Sequence, residues 1–142
     1  FIAYWPKVVK KKNTFNSVPA HIIDLMATCI DVSGAQYPKV FEGNTITPSP
    51  GKSLMPVFTG KIKKQLHDEL FWEQNGAAAL RQGDWKIVRL DGKSNWELYN
   101  LATDRSEADN LAEKFPERVS QMKEKWNQLA QQYKVFPKPG VN

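Results

Sequence analysis

Residues 69–101, ELFWEQNGAAALRQGDWKIVRLDGKSNWELYNL, leave this chain few ways to fold. Four short runs rich in aromatic, aliphatic and β-branched residues, 69–74, 77–82, 85–90 and 96–101, are separated by Asn75-Gly76, Gln82-Gly83-Asp84 and Asp91-Gly92-Lys93-Ser94-Asn95. Glycine supplies the positive φ that tight hairpins need, and connections this short permit only neighbouring antiparallel strands. The segment therefore predicts a four-stranded meander. Trp72, Trp85 and Trp96 fall within it as candidate core residues, each with one N–H donor to satisfy.

A sheet of this kind needs a cover. From Pro116 onward, Val119, Met122, Trp126, Leu129 and Tyr133 recur at alternating spacings of three and four, with Glu117, Lys123, Glu124 and Lys125 off that stripe. One amphipathic helix on one face of the meander gives a small α+β layer. The Pro137-Lys138-Pro139-Gly140 tail cannot continue the helix and is expected to be extended and mobile.

The first half is less regular. Residues 1–5 are apolar and aromatic and suit a strand that Pro6 stops; 7–16 read as a solvated basic loop. Ile22, Ile23, Met26, Cys29 and Ile30 define a helix over 19–32, with Gly34 beyond its end. On it, His21 and Asp24 lie three apart, a spacing that suits helix capping or a surface position. Residues 35–68 hold Pro38, Pro48, Pro50 and Pro56 and read as a long irregular connection, with one helical turn near 53–59. Gly51-Lys52-Ser53 shares the ending of a phosphate-binding loop, but Ile46 stands where that loop requires glycine, which excludes a nucleotide site.

Composition bounds the function. With 142 residues, 41% apolar and 11% aromatic, the chain can bury a core. A net charge of +5 admits a polyanion, yet the one compact basic run, Lys7, Lys10, Lys11 and Lys12, lacks the interleaved aromatics of a stacking platform, so nucleic acid is not expected. Cys29 is the single cysteine and reads as a buried, inert thiol. No apolar run is long enough to span a membrane, and no signal peptide opens the chain. The chain begins without methionine, inside an apolar run, and so reads as a cut through a longer protein.

Leu80-Arg81-Gln82-Gly83-Asp84-Trp85-Lys86, followed by Trp96-Glu97-Leu98-Tyr99-Asn100-Leu101, resembles the C-terminal region of the sulfatase (arylsulfatase) family. The resemblance extends upstream to His21-Ile22-Ile23-Asp24-Leu25-Met26-Ala27-Thr28, which is similar to the family's His-x-x-Asp-Leu-x-Pro-Thr helix, and to the strand at Phe1-Ile2-Ala3-Tyr4-Trp5-Pro6. Downstream it takes in Ala108-Asp109-Asn110-Leu111-Ala112 and Pro116-Glu117-Arg118-Val119. It implies three parts: 1–34 as the end of a large alkaline-phosphatase-like α/β domain, 35–68 as connection, and 69–142 as a small antiparallel-sheet domain with its helix. It also implies a parent that hydrolyses sulfate esters with a formylglycine and calcium, in the periplasm or outside the cell. The formylglycine motif, Cys/Ser-x-Pro-x-Arg, is absent here. Ser17-Val18-Pro19-Ala20-His21 differs by its histidine and opens a helix that matches another part of the family.

The resemblance thus implies no catalytic residue, metal ligand or cofactor in this chain, and a parent whose N-terminal sulfatase domain is its main partner. The isolated chain would then be inactive and prone to self-associate through its first strand. His21 and His67 lie in different segments without a matching nucleophile. The family's first hairpin in this region faces the active-site mouth, which makes Gln74 and Asn75 the candidate substrate-binding residues, their amides suited to sugar hydroxyls of a sulfated small molecule or glycan. Many relatives carry His in place of Gln74 and Asn-Arg in place of Ala77-Ala78. The alternative is a stand-alone carbohydrate- or polyanion-binding module that uses the basic run and the strand aromatics.

Overall fold

The computed structural model describes residues 1–11 and 13–135; Lys12 and the Pro137–Gly140 tail lie outside that set. Two compact units divide the chain, 1–67 and 68–142.

In the first unit, α1 (Ile23–Ser33) begins four residues later than the apolar periodicity predicts, after a tighter turn in which Asp24 N–H donates to His21 O and Leu25 N–H to Ile22 O. Gly34 ends it at φ 69°, a left-handed cap that glycine adopts without strain. Residues 1–5 form no strand, because no other strand pairs with them among the described residues, and Phe1 and Tyr4 are 87% and 89% exposed. The irregular connection contains a small hairpin, β1 (Val40–Phe41) with β2 (Asn44–Thr45), turned at Glu42 and Gly43 with φ 47° and 78°. The helical turn expected near 53–59 is α2 (Met55–Phe58). Segment 51–54 packs on α1 so closely that a Cβ at Gly51 would stand 2.2 Å from the Ile23 carbonyl oxygen. Cys29, expected to be buried, is exposed: α1 turns its carboxylate inward and leaves much of its apolar side open, with Ile22, Leu25, Met26 and Val32 all exposed.

The second unit is the meander. Strands β3 (Glu69–Gln74), β4 (Ala77–Gln82), β5 (Trp85–Arg89) and β6 (Glu97–Asn100) lie in sequence order, each antiparallel to the next. The first two have the expected bounds, and the last two are shorter by a residue or two. Phe71, Leu80, Ile87 and Leu98 face one another across the four strands and form the central row of the covered face. Helix α3 (Pro116–Gln132) lays Met122, Trp126, Leu129 and Ala130 on that row. Trp126 is 1% exposed, stacks on Phe71 at 5.3 Å between ring centroids, and donates its Nε1–H to the Trp72 carbonyl at 3.1 Å. The helix tryptophan is therefore the centre of the core. Trp85 and Trp96 pack at its edge, and Trp72, expected within it, is 37% exposed because strand alternation turns it to the opposite face.

Candidate functional site

Two polar constellations stand out, one in each unit. In the first, Asp24 is fully buried and its carboxylate collects every strong interaction around it. Oδ2 accepts the His21 N–H at 2.8 Å, Oδ1 accepts the Lys52 N–H at 2.9 Å, and His67 Nε2 lies 2.8 and 2.9 Å from the two oxygens. The reach back to His21 is a helix-start cap, the role the sequence spacing suggests, but the site is internal rather than on the surface. His67, which the sequence places in a different segment from His21, is a partner of this carboxylate with a side chain only 8% exposed. Burial alone would raise the Asp24 carboxyl; the N–H groups of His21 and Lys52 and the ring of His67 outweigh it and hold the carboxyl below its ordinary value. His21 is lowered from the ordinary histidine value, by burial first and by the charge of His67, against the pull of Asp24.

The same turn of α1 secures residues 51–54. Thr28 Oγ1 donates to Asp24 O at 2.6 Å and accepts the Leu54 N–H at 2.9 Å, while Lys52 Nζ donates to Leu66 O at 3.1 Å. Asp24 thus ties together α1, residues 51–54 and His67, 43 positions away in sequence. That arrangement is a structural clamp.

The second constellation is the end of the meander that carries Gln74 and Asn75. Both are exposed. Asn75 has φ 52° and Gly76 φ 96°, the two left-handed residues of a two-residue hairpin turn. Glu73 Oε1 accepts the Gly76 N–H at 2.9 Å and braces the turn. Gln74 and Glu73 alternate across the sheet, so the two leave it on opposite faces.

The turn between β5 and β6 lies at the same end: a Cβ on Gly76 would sit 3.2 Å from the Gly92 nitrogen. There Asp91 Oδ1 accepts from the Lys93 N–H, the Ser94 N–H and the Ser94 hydroxyl at 2.7, 2.6 and 2.9 Å. These donors, Lys93 N–H first, hold the Asp91 carboxyl below its ordinary value, and Arg89 adds to the effect. Sequence reasoning found the first turn through its Asn-Gly signal and missed that the Gly92 turn touches it, because adjacency of the first and third turns emerges only once the strands are in order.

On the covered face, the Arg89 guanidinium lies over Trp96 at 4.9 Å and over Trp126 at 5.1 Å. Its Nε, like Trp96 Nε1, is buried without a hydrogen-bond partner. On the opposite face, Lys86 Nζ pairs with Glu107 at 2.6 Å, and Tyr99 O–H donates to Glu97 at 2.7 Å. Burial, that hydrogen bond and the charges of Glu97, Glu107 and Asp104 push Tyr99 up to about 12.

Among the described residues no three His, Cys, Asp or Glu side chains gather as metal ligands. No helix among them is long and apolar enough to cross a membrane.

Comparison with known proteins matches residues 1–133 to the model of the family described as N-sulphoglucosamine sulphohydrolase, C-terminal. An uncharacterized sulfatase of Schizosaccharomyces pombe is 30% identical over 110 residues, covering 74% of this chain and 20% of the relative. Arylsulfatase K of Bos taurus is 29% identical over 124 residues, covering 80% of this chain and 22% of the relative. Among solved structures, one described as a 2-O GAG sulfatase superposes with a TM-score of 0.55 at 24% identity, covering 78% of this chain and 24% of that one. The chain spans about a fifth of the length of the curated relatives it matches.

Proposed function

For a chain that belongs to the sulfatase C-terminal family, we propose that it serves as the C-terminal portion of a sulfuric ester hydrolase, completing the core and walling the substrate cleft. The observation that carries this reading is the family match across residues 1–133, with the four-stranded sheet and its helix inside it. Gln74 and Asn75 are the substrate-facing residues in this proposal. The braced left-handed turn supports it, since it presents two exposed amides on a rigid hairpin tip, where hydrogen bonds to sugar hydroxyls lose little ordering entropy.

Formylglycine and calcium belong, on this reading, to the parent's N-terminal domain, and the parent acts on a sulfated small molecule or glycan in the periplasm or outside the cell. The uncovered apolar side of α1, with Ile22 at 75% and Met26 at 59% exposure, supports that domain as the partner, because apolar area of this kind gains from being covered. A stand-alone carbohydrate- or polyanion-binding module is disfavoured by the family match across residues 1–133; of the strand tryptophans it would use, Trp85 and Trp96 pack against the core of the second unit and Trp72 alone is exposed.

The test compares this chain with its full-length parent on a chromogenic aryl sulfate, with and without calcium. Calcium-dependent turnover by the parent, and none by the 142-residue chain above a heat-killed control, is the expected result. Turnover by the chain alone overturns the assignment of chemistry to the other domain.

A further inference from the structure

The strand that ends at the substrate-facing turn begins just after the Asp24 clamp. β3 starts at Glu69 and carries Gln74 at its far end, while His67 is the last residue of the first unit, so Asp68 alone separates a held side chain from the strand. Two bonds hold the chain just before it. Because an ionised carboxylate can only accept, His67 carries its proton on Nε2 and donates it to the Asp24 oxygens at 2.8 and 2.9 Å. Lys52 Nζ donates to Leu66 O at 3.1 Å, and the Leu66 side chain is itself buried. Asp24 is fully buried and the His67 side chain nearly so, which makes theirs a charge-assisted bond with little competition from water. The chain leading into these anchors is open by comparison: Gly60 has φ 76°, and Lys61, Lys63 and Lys64 are exposed outside any helix or strand.

We infer that His67 is a positioning residue for the hairpin tip: held by Asp24, it reduces the joint between the two units to Asp68 and so fixes the direction in which β3 departs. β3 is an edge strand, paired with β4 alone among the described residues, and its six residues span about 20 Å at the usual rise per residue. A swing of about 10° at Asp68 carries a tip at that distance through about 3–4 Å, more than the length of a hydrogen bond. Without the anchor, residues 60–68 join the hinge and the tip's amides lose their place, although Glu73 still braces the turn that carries them. The inference rests on the proposed function, since the position of Gln74 and Asn75 matters only if the parent's substrate reaches them.

The experiment uses the full-length enzyme, an aryl monosulfate and a sulfated disaccharide, with trypsin cleavage at Lys63 and Lys64 as a readout independent of activity. His67→Leu removes the donor and keeps a side chain of similar bulk, His67→Gln retains an N–H donor, and Lys52→Met removes the bond to Leu66 O while leaving the Lys52 N–H on Asp24. Inserting two glycines between Asp68 and Glu69 lengthens the joint with the clamp intact. His67→Leu is expected to quicken cleavage at Lys63 and Lys64 and to raise KM for the disaccharide about tenfold, the loss of one tip hydrogen bond, with kcat and the aryl monosulfate unchanged. His67→Gln should restore most of both, and Lys52→Met should shift both in the same direction by less. The glycine insertion should reproduce the KM change without quickening cleavage, a result that a merely structural His67 does not predict. If His67→Leu fails to fold, Lys52→Met and the insertion decide. An insertion that leaves KM unchanged, or a folded His67→Leu enzyme that loses both substrates equally, overturns the positioning role and leaves the sulfatase reading in place. A wild-type enzyme inactive on both substrates overturns the sulfatase reading and this role with it.

Discussion

Replacing Asp24 with alanine removes one carboxylate and strands three donors: the His21 N–H, the Lys52 N–H and the His67 ring N–H. Each donor left without an acceptor costs about 1–3 kcal/mol, and partial access of water to the freed groups lowers the sum. We expect a loss of about 3–5 kcal/mol, the cost of the stranded donors after that relief. The effect should be local, so amide exchange in α1 and at Lys52 and Leu54 should accelerate while the meander amides keep their protection.

The pH dependence supplies a second check. The folded Asp24 carboxyl lies below its unfolded value of about 3.9, so its contribution is fully present above that pH and is lost as pH falls through the folded value. The stability gap between wild type and Asp24→Ala, read from urea denaturation of the first unit, should thus hold down to about pH 5 and close below about pH 4. A gap under about 1 kcal/mol at neutral pH, or one that stays constant from pH 5 to pH 2, refutes the clamp.

Trp126→Ala should cost about 3–5 kcal/mol in the second unit, measured by chemical denaturation, because it removes the most deeply packed aromatic and its bond to the Trp72 carbonyl. Asn75→Ala should cost about 1 kcal/mol, since φ 52° disfavours a β-carbon that cannot bond locally, whereas Asn75→Gly should change the denaturation midpoint by less than about 0.5 kcal/mol. Gln74→Ala should leave stability within about 0.5 kcal/mol, yet in the full-length enzyme should lower kcat/KM for a glycan substrate more than for an aryl sulfate. Deleting residues 1–6 should make the isolated chain more monodisperse in sedimentation, because Phe1, Ile2 and Tyr4 are exposed apolar side chains.

The meander was legible because its signals are local: Asn75-Gly76 and Gly83-Asp84 mark turns whatever surrounds them, and the spacing in α3 marks a face. The hidden features depend on distant pairing. Asp24 and His67 are 43 positions apart, and no periodicity announces that a carboxylate in an apolar helix pattern is the residue turned inward. The same inversion explains Cys29. Its place in the apolar pattern reads as core, but the helix is oriented by hydrogen bonds to Asp24 and not by covering its hydrophobic side. Trp72 and Trp126 show the contrast in the second unit: spacing alone puts Trp126 on the buried stripe, whereas Trp72 is a core candidate by composition and the strand's alternation turns it to the other face.

The strand order β3-β4-β5-β6 has a kinetic consequence. Every sheet contact closes over a short loop, so the hairpins can form quickly and without help from α3, whereas Trp126 must find the Trp72 carbonyl across 54 positions. Sheet formation is therefore expected to precede docking of α3, with the transition state for folding built at the turns. Changes at Asn75 or Gly83 should then slow folding, while changes along the buried stripe of α3 should chiefly hasten unfolding. On a ribosome the meander can pair before its helix has been synthesised, with Phe71, Leu80, Ile87 and Leu98 left open to solvent until the last segment arrives.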